Sequence, residues 1–151
     1  MAFRGENFKL LLRIPLDVKI LVCGNALVKE DSLPLRLLPL LKKEFPDIGF
    51  KEFDAVEELE DEGEDLLILD TVVGIKRVKV FEDIDSFSDS PRFSLHDFDL
   101  LSYLKLLKKV GKVRKVRIIG IPSIEIRRTK KDIVRIVKEV CDTKSREYKQ
   151  L

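Results

Sequence analysis

A chain of 151 residues can bury one sizeable hydrophobic core but seldom two, so a single domain is expected. Its 29 Lys and Arg against 27 Asp and Glu leave a formal net charge of +2, which gives no general basic field for nucleic acid. Hydrophobic residues make up 44% of the chain, yet no apolar run approaches the ~20 residues that span a bilayer, and the stretch from Phe8 to Pro15 lacks the apolar length and small-residue cleavage site of an export signal. A cytoplasmic globular protein with no nucleic-acid or membrane partner is expected.

Cys23 and Cys141 lie far apart with no CxxC pairing, which fits reduced intracellular thiols rather than a structural zinc or redox site. Charged residues reach 37%, with one His, one Met and no Trp, a balance that resembles thermophile proteins with surface ion-pair networks. Charge is uneven along the chain: residues 52 to 65 are acidic and 105 to 149 are rich in Lys and Arg. The basic stretch is read as a solvated helix face in preference to a binding face.

In chain order, residues 1–16 read as an appendage, 17–145 as the domain and 146–151 as a tail. Val18 to Cys23 has the composition of a central strand and is followed by a Gly24-Asn25 turn. Asp31 to Phe45 reads as a helix with an apolar stripe of leucines. Pro34 suits its first turn, whereas Pro39 predicts a kink or break near Arg36 to Leu38. Gly49 to Phe53 reads as a second strand ending in Asp54, then a short acidic helix or turn through Glu62, then the strand Leu66 to Leu69 closed by Asp70. Val72 to Phe81 alternates like an edge strand, and Glu82 to Pro91 reads as a polar loop. Ser94 with Asp97 three positions on resembles a capping box for a helix carrying Leu100, Leu104 and Leu107, stopped by Gly111. Val113 to Ile121 reads as a strand broken by Gly120 and Pro122, and Thr129 to Cys141 as an amphipathic helix.

This alternation predicts an α/β fold: one three-layer α/β/α domain whose twisted, mostly parallel sheet has about five strands, one of them an antiparallel edge. Ligands of such sheets bind outside the carboxyl ends of the strands. Asp31, Asp54 and Asp70 all follow strands there, and His96 opens a helix expected to start on the same edge. A nearby helix N-terminus disfavours imidazolium and leaves a neutral ring able to bind metal. Two carboxylates and an imidazole suit zinc, nickel or cadmium with open coordination positions.

Each residue also has a structural reading. Asp31 can cap a helix, Asp70 can accept from turn amides, and a lone histidine is more often structural than catalytic. Cys23 with His96 permits a thiolate–imidazole pair, but no basic residue adjoins Cys23, and a buried core thiol is preferred. Gly24-Asn25 can open a phosphate loop, although no G-x-G-x-x-G or Walker pattern follows.

The run Gly24-Asn25-Ala26-Leu27-Val28-Lys29-Glu30-Asp31 resembles the Gly-Asn-x-Leu-x-x-Asp-(Asp/Glu) motif of the hydrogenase maturation endopeptidases. The resemblance continues through Leu66 to Asp70, Ser94-Leu95-His96-Asp97 and Ile118 to Pro122, covering roughly residues 18 to 142. It implies a monomeric cytoplasmic protease that removes a short C-terminal extension from the precursor of a [NiFe]-hydrogenase large subunit. The nickel is supplied by that substrate, and the family's metal-binding positions fall on Asp31, Asp70 and His96. Glu30 or Asp54 would assist proton transfer, Gly24 and Asn25 would bind substrate, and zinc or cadmium would occupy the same site adventitiously. The chain departs from the family pattern at Ser32 and Pro34, where small glycines are usual, at Glu30, usually Asp, and at Asp54-Ala55-Val56-Glu57 in place of an Asp-Gly-Gly-Thr-like turn. Two other readings are a non-catalytic metal-binding or maturation-interaction module on the same scaffold, and a small-molecule hydrolase with its own metal.

Overall fold

The computed structural model describes residues 18–24, 32–53, 56–87, 94–95, 98–123 and 126–149. Its strands are β1 (Lys19–Cys23), β2 (Gly49–Phe53), β3 (Asp65–Val73), β4 (Lys79–Phe81), β5 (Ser94–Leu95) and β6 (Lys115–Pro122). Its α-helices are α1 (Leu33–Glu44), α2 (Phe98–Lys109) and α3 (Ile126–Lys149), with 3₁₀ turns at Val56–Asp61 and Ile84–Phe87. The sheet order is β2-β1-β3-β6-β4, with β5 on β3. β2, β1, β3 and β6 run parallel, while β4 and β5 pair antiparallel with β6 and β3.

Burial on both faces explains why the central strands are nearly continuous apolar runs. On one face Ile20, Val22, Leu67, Leu69 and Ile119 pack with Leu37 and Leu41 of α1 and Ile133 and Val137 of α3. On the other, Leu21, Ile68 and Ile118 pack with Leu100, Leu104 and Leu107 of α2. The expected three-layer α/β/α architecture is the one found.

Several boundaries differ from the sequence reading. Helix α1 is continuous through Pro39, with no break near Arg36 to Leu38. An interior proline costs about 3 kcal/mol, but the helix buries Leu37, Leu38 and Leu41, each contributing roughly 1.5–3 kcal/mol. The burial outweighs the lost bond. The expected strand from Val72 to Phe81 is divided by a turn at Gly74, whose φ of 98° suits glycine. Its first residues extend β3 and its last form β4, the edge strand beside β6. The polar loop after Glu82 contains a 3₁₀ turn that buries Ile84 and Phe87, with Phe87 tilted against Phe81 at 4.6 Å. Helix α3 runs on to Lys149, through most of the expected tail.

The turn between β3 and β4 is tied to α3 by Arg77, which donates from Nε and Nη2 to Asp132 at 3.1 and 2.9 Å. Hydrogen bonds from Arg77, outweighing burial, hold the Asp132 carboxyl below its ordinary range. A carboxyl depressed in the folded state adds stability above its unfolded pKa and loses it as pH falls through the folded value. Asp132→Asn is therefore expected to melt below the parent at pH 7, with the gap closing as pH drops under about 4. Thermal melts across that range check it, and a gap that widens in acid would count against the pairing.

Candidate functional site

The carboxyl ends of the parallel strands converge at one level of the sheet. Phe53, the last residue of β2, pairs with Cys23, the last of β1. Val22 pairs with Leu69, so the register brings Cys23 alongside Asp70 of β3. β1 leaves the edge of β3 at that level. Beyond it β5 takes the edge in the antiparallel sense, Leu95 opposite Val72 and Ser94 opposite Val73.

Asp70 is buried, with 3% of its surface exposed. It does not close its strand as expected, because Thr71, Val72 and Val73 continue β3 past it. Side chains alternate along a strand, and Leu66, Ile68 and Val72 all pack on the α2 side. Asp70 shares their face, on which Cys23 is also packed. Its Oδ1 accepts a hydrogen bond from the Thr71 backbone N–H at 2.8 Å, which fixes the carboxylate against its own strand. A carboxylate here sits in low-dielectric surroundings, where its interaction with a cation is stronger than in water.

Gly120 pairs with Asp70 across the β3–β6 ladder. It does not break β6, which runs on through Pro122, contrary to the sequence reading. The glycine is required by crowding: a Cβ there would lie 2.7 Å from Val72 Cγ2 and 2.9 Å from Phe81 Cε2. Val72 is stiff at χ1, so relief must come from the strands themselves. Gly120→Ala is expected to cost about 1–3 kcal/mol, read as a lower denaturation midpoint at unchanged m-value. An unchanged midpoint would show that the β3–β6 seam yields freely.

Of the residues singled out from sequence, Asp70 and Gly24 lie among the described residues. Asn25, Glu30, Asp31, Asp54 and His96 lie outside them. The nearest described positions are Gly24, half-buried at the end of β1, Ser32, buried at the entry to α1, Phe53 at the end of β2, and Leu95 at the end of β5. Ser94 is a strand residue, not the helix cap expected for it, since α2 begins at Phe98. Cys23 is half-buried rather than fully buried. Cys141, within α3, is buried, and that burial pushes its thiol up to about 11. Among the described residues no group of three His, Cys, Asp or Glu side chains could hold a metal ion. The site features that sequence reasoning missed are β5 and the close packing at Gly120. The Ile-Gly-Ile alternation through residue 120 was a signal for a continuous strand, whereas two residues of β5 carry no periodicity.

The family model for hydrogenase maturation proteases matches residues 18–148. No curated protein sequence matches the chain. Among solved structures, the hydrogenase maturating endopeptidase HybD from E. coli is similar with a TM-score of 0.56 and 19% identity over 88% of this chain and 94% of that one. An uncharacterized protein from Wolinella succinogenes matches at 0.53 and 15% identity, over 85% of this chain and 99% of its own. An endopeptidase from Escherichia coli, solved in solution, matches at 0.51 and 15% identity, over 82% and 90%. At these identities the structures speak for the fold, and the family match speaks for the kind of protein.

Proposed function

The chain belongs to the hydrogenase maturation protease family, and from that premise we propose that it removes the C-terminal extension of a [NiFe]-hydrogenase large-subunit precursor, using substrate-held nickel as the recognition element. The family makes the protein a maturation endopeptidase; the large subunit, the nickel and the roles of individual residues are this reading's additions. The observation that best supports it is the buried carboxylate of Asp70, held at the carboxyl end of the sheet within the span that the family model matches.

In this reading Asp31 and Asp70 present carboxylate oxygens, and His96 an imidazole nitrogen, to nickel bound in the precursor. Such hard-to-borderline donors suit nickel, and would also take zinc or cadmium from solution. Gly24 and Asn25 contact the extended substrate backbone. Glu30 or Asp54 accepts the proton of the attacking water, the part a carboxylate base plays in peptide hydrolysis. The protein acts as a monomer in the cytoplasm, where the precursor is made. No helix among the described residues is long and apolar enough to cross a membrane.

Incubation with nickel-loaded and nickel-free precursor tests the proposal, with C-terminal processing read by mass. Cleavage of the loaded form alone is expected. Tight binding without cleavage would replace this reading by a non-catalytic maturation module, and equal cleavage of both forms would remove nickel from recognition.

A further inference from the structure

Charge is segregated on this chain, and its basic excess collects beside the candidate catalytic edge. Segments 74–79 and 127–139 hold nine Lys and Arg against two carboxylates, Asp132 and Glu139, while the whole chain carries a net charge of only +2. The fold brings the two segments together. Lys79 pairs with Gly120, which pairs with Asp70, so the start of β4 stands two strands from Asp70, about 10 Å at the usual strand spacing. The turn before it carries Lys76 and Arg77 at that same end of the sheet, and α3 opens there at Ile126, shortly after β6 ends at Pro122. The Arg77–Asp132 hydrogen bonds join turn to helix.

We propose that this basic rim, built from the β3–β4 turn and the first half of α3, docks an acidic surface segment of the protein precursor, an inference that rests on the endopeptidase reading above.

An ordinary solvated helix face would look different. Helix α3 has no acidic residue in its first turn, although cations there oppose the helix dipole. Arg127, Arg128, Lys130 and Lys131 are all exposed, and their i,i+3 and i,i+4 spacings set like charges side by side. The two carboxylates are already engaged, Asp132 by Arg77 and Arg135 and Glu139 by Arg135, and among the described residues none forms an ion pair with Lys76 or with those four cations. The second half of the helix mixes its signs, with Asp142 and Glu147 among Lys144 and Arg146. A surface kept only for solubility intersperses both charges. Negative charge supplied by a partner would relieve the repulsion in the first half.

The arrangement of the cations selects the kind of partner. Lys76 and the four on α3 are exposed side chains spread over two elements, which suits a run of carboxylates better than a single small ion held by a few convergent groups. Neither segment contains Phe, Tyr or Trp, so nucleic-acid bases would find no ring on which to stack. An enzyme that trims a folded protein must hold it outside the reacting bond. A positive rim beside Asp70 steers and orients a negative patch on that protein.

The test compares the parent with a variant carrying Lys76→Gln, Arg127→Gln, Arg128→Gln, Lys130→Gln and Lys131→Gln, using nickel-loaded precursor. Arg77 and Asp132 are left intact. A KM raised roughly tenfold or more with kcat within about twofold is expected. The parent's KM should rise with salt and the variant's much less, and the variant should melt no lower than the parent because like-charge repulsion is removed. Poly-glutamate should compete for the parent, and a short DNA duplex of equal charge should compete no better. The salt and competition measurements use the unaltered chain, so they do not depend on how the variant folds. With the parent cleaving, an unchanged KM, a loss confined to kcat, a parent KM indifferent to salt, or stronger competition by DNA would each overturn the proposal and leave the endopeptidase reading standing. A parent that does not cleave the loaded precursor would overturn that reading and the docking inference with it.

Discussion

Asp70→Asn is expected to reduce cleavage of nickel-loaded precursor by roughly 10²-fold, the scale of losing a charge-assisted contact of about 3 kcal/mol. The substitution is close to isosteric, and the asparagine oxygen can still accept from the Thr71 N–H that Asp70 Oδ1 now engages. What it removes is the negative charge. Burying an ionised carboxylate is costly, and Asp70 is 3% exposed on a face otherwise packed with Ile68, Val72 and Leu100. The variant should therefore melt no lower than the parent while losing activity. Lost activity with retained stability separates a functional carboxylate from a structural one. Normal cleavage by a folded Asp70→Asn protein would sink Asp70's assigned role, and lost activity with a large fall in melting temperature would mark it as a structural residue.

The parts of the fold legible in sequence are those whose signal is local. β1, β2, β3 and β6 announce themselves as apolar runs because a strand covered on both faces needs apolar side chains at nearly every position. Asp70 is visible for the same reason, as an acidic residue terminating such a run. Its true setting is less visible: β3 extends three residues beyond it because β5 and β6 supply partners there, and pairing with a distant segment leaves no mark on Thr71-Val72-Val73. Ser94-Leu95 reads equally well as a helix entry, and only the edge vacated by β1 makes it a strand. Gly120 was misread as a breaker because glycine has two unrelated uses, conformational freedom and lack of a side chain, and the second depends on Val72 and Phe81. The burial of Lys144 and Arg117 is hidden for a related reason. On an amphipathic helix and an alternating strand both look solvated, and it is the crossing of α3 over the start of β6 that encloses them.

The acidic 3₁₀ turn Val56–Asp61 poses a question of what holds it in place, and Leu59→Ala is expected to answer with a loss of about 2–5 kcal/mol. For a chain of this size that corresponds to a fall in melting temperature of roughly 5–15 °C. Leu59 is fully buried and belongs to the core on the α2 side, with Phe53, Leu100 and Leu104. The segment also carries visible polar ties: Tyr103 donates to Glu60 at 2.8 Å, and Lys112 lies 3.7 Å from the same carboxylate. Both are exposed, and exposed ion pairs contribute about 0–1 kcal/mol. Glu60→Gln should accordingly shift the melt by no more than a few degrees. The comparison decides between a turn pinned by one leucine and a turn pinned by its charges. A larger loss in Glu60→Gln than in Leu59→Ala would reverse that assignment. The outcome bears on both ends of the sheet, because this short turn links the end of β2, at the candidate catalytic edge, to Glu62, Gly63 and Glu64, which line an open cleft at the start of β1, β3 and β6. One buried side chain thus sets the geometry of a connection that the nine acidic residues from Glu52 to Asp65 would otherwise leave to solvent.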